Sequence, residues 1–219
     1  MITAAITISL SLRKAREAYS SAIPLENPEI IKARQNNIPV IRRAEMLGEL
    51  ISVKEISIAV GGTHGKTTTS SMIGTILHHA KKDPTFVVGG LVHILKINSN
   101  LGKGEIIVVE ADEFDRSFLA LKPTISIVTN IELEHTDCYK NLNELKEAFM
   151  QFCRSIPFYG ENIVCIDSPA VREILPYIER PMTTYGRSRD AAYRAENIRF
   201  NENKSTYSFF CAEECLGEI

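Results

Sequence analysis

The sequence predicts an α/β protein built on a mostly parallel sheet flanked by helices. Three observations predict it. Short apolar runs close on polar residues, as central strands of a parallel sheet do when buried on both faces: Ile106–Val109 before Glu110, Ile125–Val128 before Thr129 and Asn130, Ile163–Ile166 before Asp167. An amphipathic helix separates two of them, with Leu142, Leu145, Phe149, Phe152 and Ile156 at steps of three and four. A glycine-rich turn, Gly61-Gly62-Thr63-His64-Gly65-Lys66-Thr67-Thr68, joins a β-branched run, Ile56–Val60, to a helical segment.

In chain order, Ser20 to Pro24 and Asn27-Pro28-Glu29 read as a loop feeding a helix over 29–36, with Pro28 near its first turn. Residues 38–41 read as a short strand and 43–51 as a second helix. The strand at 56–60 is followed by the glycine turn and a helix over 69–79. Thr69, Ser70 and Ser71 are read as helix-start residues, and His78-His79 as a helix end where imidazoles meet the negative dipole. Strands at 106–109 and 125–128 precede the amphipathic helix, at whose start Asn141 and Glu144 have capping-box spacing. After the strand at 163–166, the stretches 182–185, 198–200 and 206–210 are strand-like.

Bulk properties narrow the function. In 219 residues, 44% are hydrophobic and 24% charged, ordinary for a chain that buries a core. A net charge of −2 gives no general pull toward nucleic acid or an anionic membrane, so any polyanion must be held locally. The five cysteines are scattered and suit reduced thiols better than a zinc site. The apolar start, Met1 to Ile8, precedes its basic residues and is too short to cross a bilayer. No export signal or membrane segment is expected, and the cytoplasm is the expected location.

Strand, glycine turn, Lys-Thr and helix together suit a phosphate site of the P-loop type. Glycines let backbone N–H groups converge on an anion at a positive helix N-terminus. Lys66 is placed to reach β- and γ-phosphates, and Thr67 to ligate Mg²⁺. Val60 stands where the longer form of the motif has its first glycine, leaving a short Gly-Thr-His-Gly-Lys-Thr variant. A structural glycine turn with a surface lysine is the weaker alternative. Ligands of open parallel sheets sit beyond the carboxyl ends of strands. Glu110 is placed there as a metal-binding carboxylate, or else caps a following helix. Asn130 ends the next strand, and His135 lies in the ligand-rich loop 132–137. Asp112, Glu113 and Asp115 read individually as solvent-facing or capping residues.

Gly62 to Thr68, Glu110-Ala111-Asp112-Glu113, Ile127 to Glu132 and Glu134-His135 together resemble the Mur ligases, ATP-dependent amide-forming enzymes of peptidoglycan synthesis. His64 within the loop, Ser117-Phe118-Leu119, Lys122-Pro123 and Pro157 to Gly160 extend the resemblance, which runs over about residues 19–200 in order. It implies a remnant of a Rossmann-like UDP-binding domain over 1–52 and the central ATPase domain over 53–219, with the family's C-terminal domain absent. The fold expected is thus a P-loop-type sheet with a truncated Rossmann-like N-terminal segment, and a fragment of this kind is expected to be inactive alone. Glu134 stands where the family usually has Asp, which keeps the charge.

The chemistry implied is attack of a substrate carboxylate on ATP to give an acyl phosphate, which an amine then displaces. The implied small-molecule substrates are ATP, UDP-N-acetylmuramate and L-alanine, with Mg²⁺ as cofactor. A ligase joining the same sugar to a peptide remains open, as does a non-catalytic ATP-binding module. The resemblance assigns nucleotide binding to Gly62, Thr63, His64, Gly65, Lys66, Thr67, Thr68 and Asn130. It assigns metal binding to Thr67, Glu110 and, for a second ion, His135. Catalysis falls to Lys66, Glu110 and His135.

Overall fold

The computed structural model describes residues 17–92, 97–134, 136–202 and 204–219. The elements follow in order as β1 (Glu17–Tyr19), α1 (Pro28–Gln35), β2 (Val40–Arg42), α2 (Arg43–Ser52), β3 (Ile56–Gly61), α3 (Lys66–His79), β4 (Thr85–Val92), β5 (Ile97–Asn100), β6 (Ile106–Glu110), a 3-10 segment (Phe114–Ala120), β7 (Ile125–Val128), α4 (Leu142–Arg154), β8 (Glu161–Cys165), α5 (Pro169–Ile174), a 3-10 turn (Leu175–Tyr177), β9 (Met182–Gly186), β10 (Tyr193–Asn201), β11 (Lys204–Cys211) and β12 (Glu214–Glu218).

Among the described residues, ten strands form one sheet in the order β12-β11-β10-β9-β8-β7-β3-β6-β4-β5, while β1 and β2 pair only with each other. The pairs from β4 through β10 are parallel, and the two flanks, β5 and β11–β12, are antiparallel. From β3 the chain passes to β4 and the edge strand β5, returns to insert β6 between β4 and β3, then crosses to place β7, β8 and β9 on the other side. That reversal beside β3 is a topological switch point, where strand ends leave a crevice for ligands. The turn after β3 opens there.

Alternation along the central strands sends side chains into two cores. Ile58 and Val108, register partners, join Phe86 and Val88 beneath Ile73 and Leu77 of α3. Their neighbours Ala59 and Val109 face the other way, with Val128 and Val164, against Phe149 and Phe152 of α4 and Val171 of α5. The result is helix, sheet, helix. α2 joins this second core through Ile51, and it approaches so closely that a Cβ on Gly48 would lie 2.6 Å from the carbonyl oxygen of Ala120.

Most sequence-predicted elements are present with small shifts. α3 begins at Lys66 rather than Thr69, because Gly65 takes the left-handed cap conformation (φ 83°) and lets the helix start directly after the turn. Glu110 is the last residue of β6 instead of the first beyond it. The helix start at Asn141 is capped as expected, Glu144 N–H donating to Asn141 Oδ1 at 3.0 Å, although Glu144 Oε2 accepts from Lys140 N–H instead of from Asn141.

Phe152 is fully buried and lies with its ring 5.1 Å from that of Phe118, directly under Gly61 at the end of β3. Phe152→Ala is expected to cost about 3–5 kcal/mol through lost burial and a cavity. The melting temperature should fall on the order of 10 °C, measurable by calorimetry.

Candidate active site

Gly62 has a φ of 134°, and a Cβ there would stand 2.0 Å from Thr129 Oγ1. Only glycine satisfies both conditions. The turn that follows is held to the end of β7 by a set of hydrogen bonds. Thr63 N–H donates to Asn130 O at 3.1 Å, and Thr129 N–H to Gly61 O at 3.1 Å. The Asn130 amide grips the backbone of His64 from both ends: His64 N–H donates to Oδ1 at 2.9 Å, and Nδ2 donates to His64 O at 3.0 Å. Thr129 Oγ1 adds a 2.6 Å bond to His64 O. Thr63 Oγ1 exchanges bonds with the backbone of Glu132, accepting at 2.9 Å and donating at 3.0 Å. Asn130 therefore acts on the loop's shape, with its amide committed to His64.

Beyond Gly65, Lys66, Thr67 and Thr68 form the first turn of α3, where backbone N–H groups lack helical partners and favour an anion. A Cβ at Gly65 would meet nothing within 4 Å, so this end of the loop is open. The imidazole of His64 is half exposed and faces two carboxylates, Glu134 Oε1 at 3.5 Å and Glu132 Oε2 at 3.7 Å.

Glu110 ends the strand beside β3, in register with Val60, and the following N–H of Ala111 donates to Val60 O at 2.9 Å. The carboxylate thus stands one strand away from the start of the turn. Its Oε1 is buried and has no hydrogen-bond partner among the described residues. Its Oε2 fills the place a Cβ would take on Gly89 of β4, 2.9 Å away. A buried carboxylate oxygen with no donor calls for a cation, and a carboxylate suits a hard ion such as Mg²⁺. The described residues of this site fit such an ion on that ground. His135 lies outside the described residues.

Glu113 departs from expectation. Read in sequence as solvent-facing or capping, its side chain is 1% exposed and accepts from Lys66 Nζ at 2.7 Å. Lys66 also donates to Gly62 O at 2.8 Å and Thr63 O at 3.3 Å. The backbone of Glu113 is fixed by the buried Tyr139 hydroxyl, which donates to its carbonyl at 2.6 Å. Burial pushes that phenol up to about 12, with Arg116 opposing and Glu113 adding to the rise, so it stays a neutral donor. The sequence signal was slight: a second glutamate three residues after Glu110.

Beside Glu110 a cleft of about 270 Å³ opens between the first region and the segment that follows β6. Ser20, Ser21, Arg42 and Arg43 line one wall, and Glu110 and Arg116 the other. Among the described residues no helix is long and apolar enough to cross a membrane.

The sequence and the fold have known counterparts. Residues 60–217 match the Mur ligase middle domain, and residues 3–55 match the Mur ligase family catalytic domain. The chain belongs to the Mur ligase family. It is 53% identical over 200 residues to the UDP-N-acetylmuramate–L-alanine ligase of Myxococcus xanthus, an alignment covering 91% of this chain and 42% of that one. The chain therefore spans under half the length of that relative. Among solved structures, UDP-N-acetylmuramate–alanine ligase from Thermotoga maritima aligns with a TM-score of 0.76 at 25% identity, over 92% of this chain and 45% of that one. The UDP-N-acetylmuramate:L-alanyl-γ-D-glutamyl-meso-diaminopimelate ligase from Neisseria meningitides shares the fold, with a TM-score of 0.77 at 21% identity, over 92% of this chain and 67% of that one.

Proposed function

We propose that this chain is the ATP-handling part of a ligase joining L-alanine to the carboxylate of UDP-N-acetylmuramate in peptidoglycan synthesis. The observation that carries the reading is the stapled glycine turn with Lys66 at the first position of α3, beside a strand that ends in Glu110. The N–H groups that open α3 and the Lys66 ammonium supply positive charge where phosphoryl transfer needs it, and in such reactions positioning and charge neutralisation are most of the protein's task. Thr67 and Glu110 would hold Mg²⁺, which when bound neutralises charge on the phosphates; His135 is assigned a second ion by family resemblance alone. Arg42, Arg43 and Arg116 in the cleft beside Glu110 are the groups that would meet an anionic nucleotide sugar, and four carboxylates share the walls with them. The cleft's position would bring the sugar's carboxylate to the phosphate end of the turn.

The test has two parts. The 219-residue protein is expected to bind ADP with Mg²⁺ in calorimetry. Joined to the remaining length of the Myxococcus xanthus relative, it is expected to release phosphate only when UDP-N-acetylmuramate and L-alanine are both present. The likeness to the Neisseria meningitides structure favours one second reading, in which the amine belongs to an L-alanyl peptide. Phosphate release stimulated by the peptide and not by L-alanine would assign that reaction. Release without either acceptor would overturn ligation.

A further inference from the structure

The Glu113 carboxylate lies outside the glycine turn and three residues beyond the strand that carries Glu110, yet it is the acid that touches the turn's lysine. An ammonium has three N–H donors. In Lys66 they go to Glu113 Oε2 at 2.7 Å, to Gly62 O at 2.8 Å and to Thr63 O at 3.3 Å, the last at the long end of useful geometry. The lysine side chain is 16% exposed, against 1% for the glutamate. Taking one partner away from a pair buried to this extent is strongly unfavourable. A phosphate that drew Lys66 fully toward itself would break the pair with Glu113. The backbone allows no easy retreat: Tyr139 holds the Glu113 carbonyl, and the chain then reverses through Asp115 and Arg116, both at positive φ (51° and 60°).

We propose that Glu113 is the positioning residue of Lys66: it anchors the ammonium with and without nucleotide, and the phosphate takes the donor now directed at Thr63 O. This rests on the nucleotide-binding reading above. In this arrangement the lysine is aimed before ligand arrives, and its charge is shared between one buried carboxylate and the incoming phosphate. Glu113 touches no substrate and acts through Lys66.

The experiment uses the 219-residue protein with Glu113→Gln, Lys66→Met and the two combined, read by thermal melting and by calorimetric titration with ADP and Mg²⁺. Glu113→Gln is expected to weaken ADP binding about tenfold or more, as loss of a charged hydrogen bond to the lysine should. Lys66→Met alone should lower the melting temperature, and adding Glu113→Gln should recover much of that loss. A glutamate serving only the local fold would give additive losses, and that result overturns the proposal. So does ADP binding by Glu113→Gln that equals or exceeds the unsubstituted protein's, which would make Glu113 idle or a competitor of the phosphate. If Glu113→Gln alone does not fold, comparison of Lys66→Met with the double variant still decides. If the unsubstituted protein itself fails to bind ADP, the nucleotide reading falls and this proposal with it. Binding that survives Glu113→Gln sinks this proposal alone.

Discussion

Lys66→Met is expected to remove nucleotide binding from this chain and to destabilise it at the same time. The first effect follows from position. Lys66 opens α3, and its ammonium is the cation attached to the glycine turn itself. Losing a desolvated charge that faces phosphate costs roughly 3–5 kcal/mol, on the order of 100-fold to several thousand-fold in affinity. The second effect follows from Glu113, whose buried carboxylate would lose the 2.7 Å partner it has in Lys66. Breaking a buried pair from one side costs about 3–5 kcal/mol. Titration with ADP and Mg²⁺, together with a melting curve on the same sample, checks both. Affinity within a few-fold of the original would contradict the phosphate-loop assignment, whatever the melting curve showed.

Gly62→Ala is expected to be the most damaging single-methyl change in the turn. The new Cβ would lie 2.0 Å from Thr129 Oγ1 and 3.1 Å from both the nitrogen and the oxygen of the Asn130 backbone. Turning Thr129 Oγ1 away would give up its bond to His64 O, and the two main-chain contacts would stay tight. The φ of 134° adds strain that a side chain cannot relax, of order 1–3 kcal/mol by itself. Together these should exceed about 3 kcal/mol and detach His64 from Asn130. Gly65→Ala is the matched comparison. Its φ of 83° is also left-handed, but its Cβ would meet nothing within 4 Å, so only the strain of about 1–2 kcal/mol should appear. Urea midpoints of the two variants should differ in that order, and equal losses would mean that the contact with Thr129 carries no weight.

The contrast between those glycines shows what could be read in the sequence. The strand-turn-helix unit and the acidic residue one strand away are local patterns, and they stand where the sequence put them. The helix expected over 69–79 starts three residues earlier, at Lys66, because Gly65 caps it by conformation alone, with no side-chain signal in the sequence. β4 went unread because Gly89 and Gly90 interrupt its apolar run. Gly89 is explained by Glu110, whose carboxylate fills the space its side chain would need, and 21 positions separate the two in sequence. Glu113 and Asn130 are similar cases. Each residue's work lies in a bond to the turn 47 or 66 positions earlier in the chain, and no periodicity or spacing rule reaches that far.

The paired grip of the Asn130 amide on His64, with Thr129 and Thr63 on either side, has a kinetic consequence. Freedom the turn would otherwise surrender to a ligand is given up when the chain folds, so the ordering cost falls on folding and not on capture. A receptor organised in advance meets its ligand at a rate set by diffusion and field, and differences among ligands then appear in how long each one stays.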